Sequence, residues 1–343
     1  VKIVIAPDSF KECLSSREVA SAIGGAVREA HPGWPVVEMP LADGGEGTVD
    51  VLTPALGGRI EWVSVSDPLG RPVCARFGIA GETAVIEVAQ ACGLGLLSSG
   101  ERNPLLTSTR GVGELLLFAA KAGCRHFLVG LGGTSTCDGG AGMLSVPGLS
   151  EALSGVSMEI LCDVDAPFVG PHGAARVFGP QKGASPEQVE ILEKRMLEQA
   201  ARLLVDFGMD VSTVPGAGAA GGLGGALMAC FGARVCSGID KVLDLLGFDE
   251  AVSDASLVIT GEGRSDSQTL SGKAACGVLR RSGTVPVALL SGRVDESEAL
   301  IAAGFSTVVE VSPRSMPLSR ALEPAVARQN LYTAAKALLG REM

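Results

Sequence analysis

The spacing of apolar residues changes several times along this chain, and each change marks an element. Val1–Ala6 is an almost unbroken apolar run, the pattern of a strand buried on both faces of a parallel sheet. Ser15 and Glu18 then form a capping-box signature, and Val19, Ile23, Ala26 and Val27 recur at helical spacing. The chain therefore predicts a strand followed by a helix. Pro35–Leu41 predicts a second short strand and Val49–Leu56 a short helix. From Arg59 to Ala89 the rhythm shifts to three strand-like runs, Glu61–Val65, Val73–Ile79 and Thr83–Val88. Asp67-Pro68-Leu69-Gly70 and Ala80-Gly81 separate them as turns. A β-meander there breaks the βα alternation.

Helix Val112–Ala122, strand His126–Leu131, strand Met158–Cys162, a long helix Pro186–Phe207 and a Gly/Ala-rich helical region Ala217–Phe231 occupy the middle. The C-terminal part returns to a βαβ rhythm. Its elements are strand Leu257–Thr260, helix Gly272–Arg281, strand Pro286–Leu290, helix Glu296–Ala303, strand Thr307–Val311 and helix Ser319–Leu339. Early and late βα units are expected to share one parallel sheet. Residues 1–62 and 255–343 would then form one α/β domain and residues 63–254 an inserted second α/β domain, with the active cleft between them.

Composition narrows the function classes. A length of 343 residues exceeds what one core usually supports, and 46% apolar with 19% charged residues excludes disorder. A net charge of −10 with no basic stripe makes nucleic acid and anionic membranes poor partners. No apolar stretch approaches the roughly 20 residues of a membrane span. Without a signal-peptide pattern at the start, a cytoplasmic location is the default expectation. The nine cysteines stand singly and there are three histidines, so free thiols are expected rather than a disulfide frame or a zinc site. Monomer and homodimer both stay open.

Four segments after expected strands concentrate carboxylates or hydroxyls. Pro7-Asp8-Ser9-Phe10-Lys11 falls at the carboxyl end of the first strand, the edge where open parallel sheets hold ligands. Ala42-Asp43-Gly44-Gly45-Glu46-Gly47-Thr48 puts two carboxylates among glycines before a helix. Gly130–Gly142 holds six glycines, three hydroxyls and Asp138, a composition suited to cradling phosphate while the carboxylate faces Mg2+. It lacks the G-K-[ST] ending of a P-loop and the acidic partner of a dinucleotide fingerprint. Thr260–Gln268, with Gly272-Lys273 beyond, brings Glu262, Arg264 and Asp266 together, which are parts for phosphoryl transfer. Each has a plain alternative: a polar turn, a helix cap, a structural loop or a surface ion-pair cluster. Asp163-Val164-Asp165 could bind a cation and Lys182 a phosphate. Pro215–Gly225, made of small residues apart from Leu223, is explained by close packing as well as by backbone approach to a nucleotide.

Taken in order and spacing, these segments resemble the bacterial glycerate kinase family of the D-glycerate 2-kinase type. The match also includes Cys162-Asp163-Val164, Phe178–Ala184 and Pro215–Gly222, and it spans nearly the whole chain. The resemblance implies a Rossmann-like domain from both chain ends with an inserted α/β domain, and ATP- and Mg2+-dependent phosphorylation of D-glycerate. Two features depart from it: Leu144–Gly148 bridges a stretch that is longer in the family, and Cys137 stands where Asn is commoner.

On this reading Asp8, Asp43 and Asp266 are candidate bases, with Lys11 and Arg264 as catalytic cations. Gly132, Gly133, Thr134, Ser135, Lys182, Glu262 and Lys273 would contact the nucleotide, and Glu46 and Asp138 the metal. Asp8, Asp43, Asp138 and Asp266 are expected to line one crevice. A Mg2+-dependent phosphohydrolase of small phosphorylated acids is the enzymatic rival. A two-domain solute-binding protein is the non-enzymatic one. Neither product isomer, 2- nor 3-phosphoglycerate, is selected by the residues themselves, although the family likeness favours the former.

Overall fold

The computed structural model describes residues 1–270 and 273–340, the side chains of residues 267 and 268 excepted. Its strands are β1 (Ile3–Ile5), β2 (Val36–Glu38), β3 (Arg59–Ser66), β4 (Pro72–Ala80), β5 (Thr83–Glu87), β6 (His126–Gly130), β7 (Ser157–Leu161), β8 (Arg234–Cys236), β9 (Leu257–Ser265), β10 (Val287–Val294) and β11 (Thr307–Glu310). The chain divides into two units, Val1–Asp43 with Ile239–Met343, and Gly44–Gly238. Both divisions fall earlier than the expected ones after residues 62 and 254. Helix α2 (Thr48–Ala55) belongs to the second unit because Asp50 pairs with Arg76 of β4 and the Val49 amide binds Glu87 of β5. Helices Gly238–Leu246 and Phe248–Val252, which the sequence reading did not resolve, belong to the first, where Arg281 pairs with Asp244 and Asp249.

The first unit is a five-stranded parallel sheet in the order β11-β10-β9-β1-β2. Renumbered within the unit this is 2-1-3-4-5, the doubly wound order of flavodoxin-like sheets, whose switch point lies between β1 and β9. Helix α1 (Ser16–Ala30) starts on the anticipated capping box, with Glu18 accepting from the Ser15 amide at 3.0 Å. It packs with helix Pro324–Leu339 on one face, where Ile5, Ile23, Ile259, Leu290 and Leu331 form the core. Alternate residues Val4, Val258 and Leu289 point the other way and are also buried, so the sheet is covered on both sides.

The second unit has a six-stranded sheet, β3-β4-β5-β6-β7-β8. The expected meander β3-β4-β5 is antiparallel, and β5 to β8 run parallel. Helix Pro186–Phe207 has the bounds read from sequence because its end signals are strong: a Ser185 capping box, Pro186 in the first turn and Gly208 in the left-handed conformation at its end. The expected helix from Ala217 begins only at Leu223, since residues 215–222 fold as turns, with Gly222 in the left-handed region. The short link after Gly142 closes compactly, with Met143, Val146, Leu149 and Leu153 all buried. Strand β9 runs on to Ser265, beyond the expected Thr260, and carries Glu262 and Arg264 on its tail. Helix Gly272–Arg281 is observed from Ala274, and Gly272 lies outside the described residues. None of the nine cysteines is in a disulfide. Among the described residues no helix is long and apolar enough to cross a membrane.

Candidate active site

In the first unit the parallel pairing of β1 with β9 continues past the strand, through Ala6 N to Ile259 O and Asp8 N to Gly261 O, both at 2.8 Å. Asp8 is thereby carried to the switch point beside Glu262, and it is 8% exposed. Its Oδ1 accepts the Ser9 amide at 2.7 Å. Burial pushes its pKa up to about 7, and the negative charge of Asp43, and to a smaller degree that of Glu262, adds to the rise. The Ser9 amide and the Lys11 charge oppose it. Asp43 follows β2 on a segment tied to the same edge, where the Leu41 amide donates to Pro7 O at 2.9 Å.

Glu262 is buried and held from two sides. Its Oε1 accepts from Ser265 Oγ at 2.8 Å and Thr269 Oγ1 at 2.7 Å, and its Oε2 lies 3.6 Å from Lys273 Nζ. Lys273 also stands 3.8 Å from Asp266. Thr269, fully buried, accepts the Asp266 amide at 3.1 Å while donating to Glu262, so one hydroxyl links both carboxylate residues. Sequence reasoning did not single out Thr269 or Ser265; their signal was a pair of hydroxyls inside an acidic turn. Arg264 is largely exposed and pairs with Asp295 at 2.9 Å, with Asp266 4.0 Å away. The first unit thus carries Asp8, Lys11, Asp43, Glu262, Arg264, Asp266 and Lys273.

The other candidates lie in the second unit, so the four aspartates are divided three to one. Gly132 and Gly133 leave the carboxyl end of β6 with their backbone partly open, whereas Thr134, Ser135 and Thr136 are buried. Ser135 Oγ donates to Cys92 O at 3.0 Å. Lys182 is 3% exposed, and its Nζ donates to Thr134 Oγ1 at 3.0 Å and Thr136 O at 2.7 Å. Burial lowers its pKa against the raising influence of Cys137, Cys92 and Asp138. Its ammonium thus pins the loop from inside. Asp138 is engaged as fully: Oδ2 accepts from Thr109 N, Thr109 Oγ1 and Gly142 N, and Oδ1 from Thr109 Oγ1 and Gly140 N, all within 3.1 Å. Cys137 is buried and its thiol is pushed up to about 11 by burial, which makes it packing rather than chemistry.

Glu46 is exposed on the loop before α2. That loop is seated on strand ends: Gly132 N donates to Gly44 O at 3.2 Å, and a Cβ on Gly44, at φ +91, would stand 2.5 Å from Leu161 O. Only glycine fits there. The segment Gly216–Gly222 packs on the Gly130–Gly142 loop, with Gly139 N donating to Gly221 O at 3.0 Å, so close packing accounts for its small residues.

A doubly wound parallel sheet with Asp8 and Glu262 buried at its switch point, and a second α/β unit bearing a glycine-rich loop, are the parts of an enzyme acting on a small molecule. The chain matches the glycerate kinase family over residues 3–150 and 145–341, and it belongs to that family. The two stretches of the match overlap at residues 145–150, in the link that follows Gly142. The glycerate kinase of Bacillus subtilis (strain 168) is 42% identical over 358 residues, covering 95% of this chain and 94% of that protein. The glycerate 2-kinase of Escherichia coli (strain K12) is 44% identical over 308 residues, 81% of each. The crystal structure of the putative glycerate kinase 2 from Salmonella typhimurium LT2 superposes with a TM-score of 0.84 at 40% identity, covering 99% of this chain and 97% of that one. This membership gives no support to the phosphohydrolase or solute-binding readings.

Proposed function

We propose that the protein transfers the γ-phosphoryl group of ATP to D-glycerate, giving 2-phosphoglycerate. Family membership carries the phosphorylation of glycerate. The 2-position follows the Escherichia coli relative, a glycerate 2-kinase. The observation that carries the chemistry is the buried Asp8 carboxyl, whose pKa near 7 suits a general base at neutral pH. Asp8 takes the proton of the substrate hydroxyl; that oxygen forms the new bond to the γ-phosphorus as the bond to the bridging oxygen breaks and ADP leaves. Asp43 and Glu262 keep the Asp8 pKa high enough for this role. Lys11 and Lys273 supply positive charge for the substrate carboxylate and the transferred group. Arg264, tied to Asp295, orients Asp266.

The open backbone at Gly132 and Gly133 receives the nucleotide, while Thr134, Ser135, Lys182 and Asp138 hold that loop in shape. Among the described residues no group of three His, Cys, Asp or Glu side chains is placed to hold a metal. Glu46, exposed on its loop, would be the protein carboxylate for an ion carried mainly by the phosphates. Bound Mg2+ would neutralise phosphate charge at that place. The protein's acidity is compatible with a cytoplasmic small-molecule enzyme working without nucleic acid or membrane.

Incubation with ATP, Mg2+ and D-glycerate, followed by phosphorus NMR, tests the reading. ADP formed only when glycerate is present, with a 2-phosphoglycerate resonance, is the expected result. Phosphate released without glycerate, or a 3-phosphoglycerate product, would refute the acceptor or the position respectively.

A further inference from the structure

One buried carboxylate has no part in that mechanism. Glu87, the last residue of β5, is 2% exposed, and burial pushes its pKa up. Its Oε1 accepts the Val49 amide at 2.7 Å and its Oε2 accepts Gln90 Nε2 at 3.2 Å. Val49 lies in the first turn of α2, where backbone amides have no partner inside the helix. Gly47, at the cap position, brings no side chain to satisfy them. A residue 38 positions away in sequence fills the place of that cap.

The segment before Val49 is fixed at its other end by Gly44, seated on Leu161 and Gly132. Glu46 sits between these two anchors. We propose that Glu87 is a positioning residue: by docking the first turn of α2 on the end of β5 it fixes where Glu46 lies. A buried carboxylate is a costly way to hold a helix unless the exact placement of that turn matters. The inference rests on the reading that Glu46 serves the phosphate end of the reaction.

Glu87→Ala and Glu87→Gln separate placement from bulk stability. The alanine variant removes the acceptor, whereas glutamine keeps an oxygen for the Val49 amide. In Glu87→Ala, amide exchange across residues 44–52 should rise and kcat should fall about 10- to 100-fold, the scale of a misplaced group, with little change in KM for D-glycerate. Glu87→Gln should restore both exchange and kcat nearly to the parent values. Unchanged exchange in Glu87→Ala, or equal loss in both variants, overturns the proposal. Glu46→Gln distinguishes the failures: full turnover there removes Glu46 from the site and the proposal with it. Loss in Glu46→Gln beside full turnover in Glu87→Ala removes only the positioning role.

Discussion

Replacing Asp8 by Asn should make the protein both inactive and more stable, and the size of the gain follows from the site. Burial, with Asp43 beside it, raises the Asp8 pKa from 3.8 to about 7. At about 1.4 kcal/mol per unit, holding the ionised form in the folded state costs about 4 kcal/mol relative to the unfolded chain. Between pH 4 and 7 the folded state binds more protons than the unfolded one, so this contribution to stability falls as pH rises and levels off above pH 7. Asparagine carries no charge at any pH, and its side-chain oxygen can still accept the Ser9 amide. Asp8→Asn should therefore unfold at higher urea concentration at pH 8, with a gain of about 2 to 4 kcal/mol that shrinks towards zero near pH 4. Turnover should drop by more than about 100-fold, the scale of a lost general base. Equal stability at pH 8, or a gain that does not depend on pH, would refute the argument that this carboxyl is destabilised for function.

Further tests follow from the same geometry. In the parent enzyme kcat/KM should rise with pH through about 7 as Asp8 ionises, and Asp43→Asn should move that acid limb to lower pH by removing a like charge; an unmoved limb means the two carboxyls do not interact. Asp138→Asn should destabilise the protein by about 1 to 3 kcal/mol in thermal or urea unfolding, because either amide orientation turns an NH2 towards a backbone N–H of Thr109, Gly140 or Gly142. The Mg2+ concentration for half-maximal rate should stay near the parent value; a large rise would return Asp138 to the metal. Gly221→Ala places a Cβ 2.0 Å from Thr136 O and should lower stability by about 1 to 3 kcal/mol in urea unfolding even without ligand, whereas an effect seen only in nucleotide affinity would favour ligand approach over packing.

Most of the strands and the longer helices, and most of the residues worth examining, were legible in the sequence, whereas helices Gly238–Leu246 and Phe248–Val252 were not. Local signals are written in neighbouring residues: the Ser15–Glu18 capping box, the Ser185-Pro186 start and Gly208 stop of the long helix, and the period-two runs of the meander. The order of glycine-and-acid segments identified the family for the same reason, since each segment is contiguous. What the sequence left open depends on pairings between distant residues. The β1–β9 register sets Asp8 beside Glu262 across more than half the chain, and burial and repulsion raise the pKa of Asp8, which is the support for proposing it as the base. Hydrogen bonds from Thr109 and Gly142 turn Asp138 into a loop anchor, and Thr134 and Thr136 draw Lys182 inward. A carboxylate or an ammonium reads the same in any sequence; its ionisation and its partners are fixed only when folding removes water and brings remote donors and acceptors within about 3 Å.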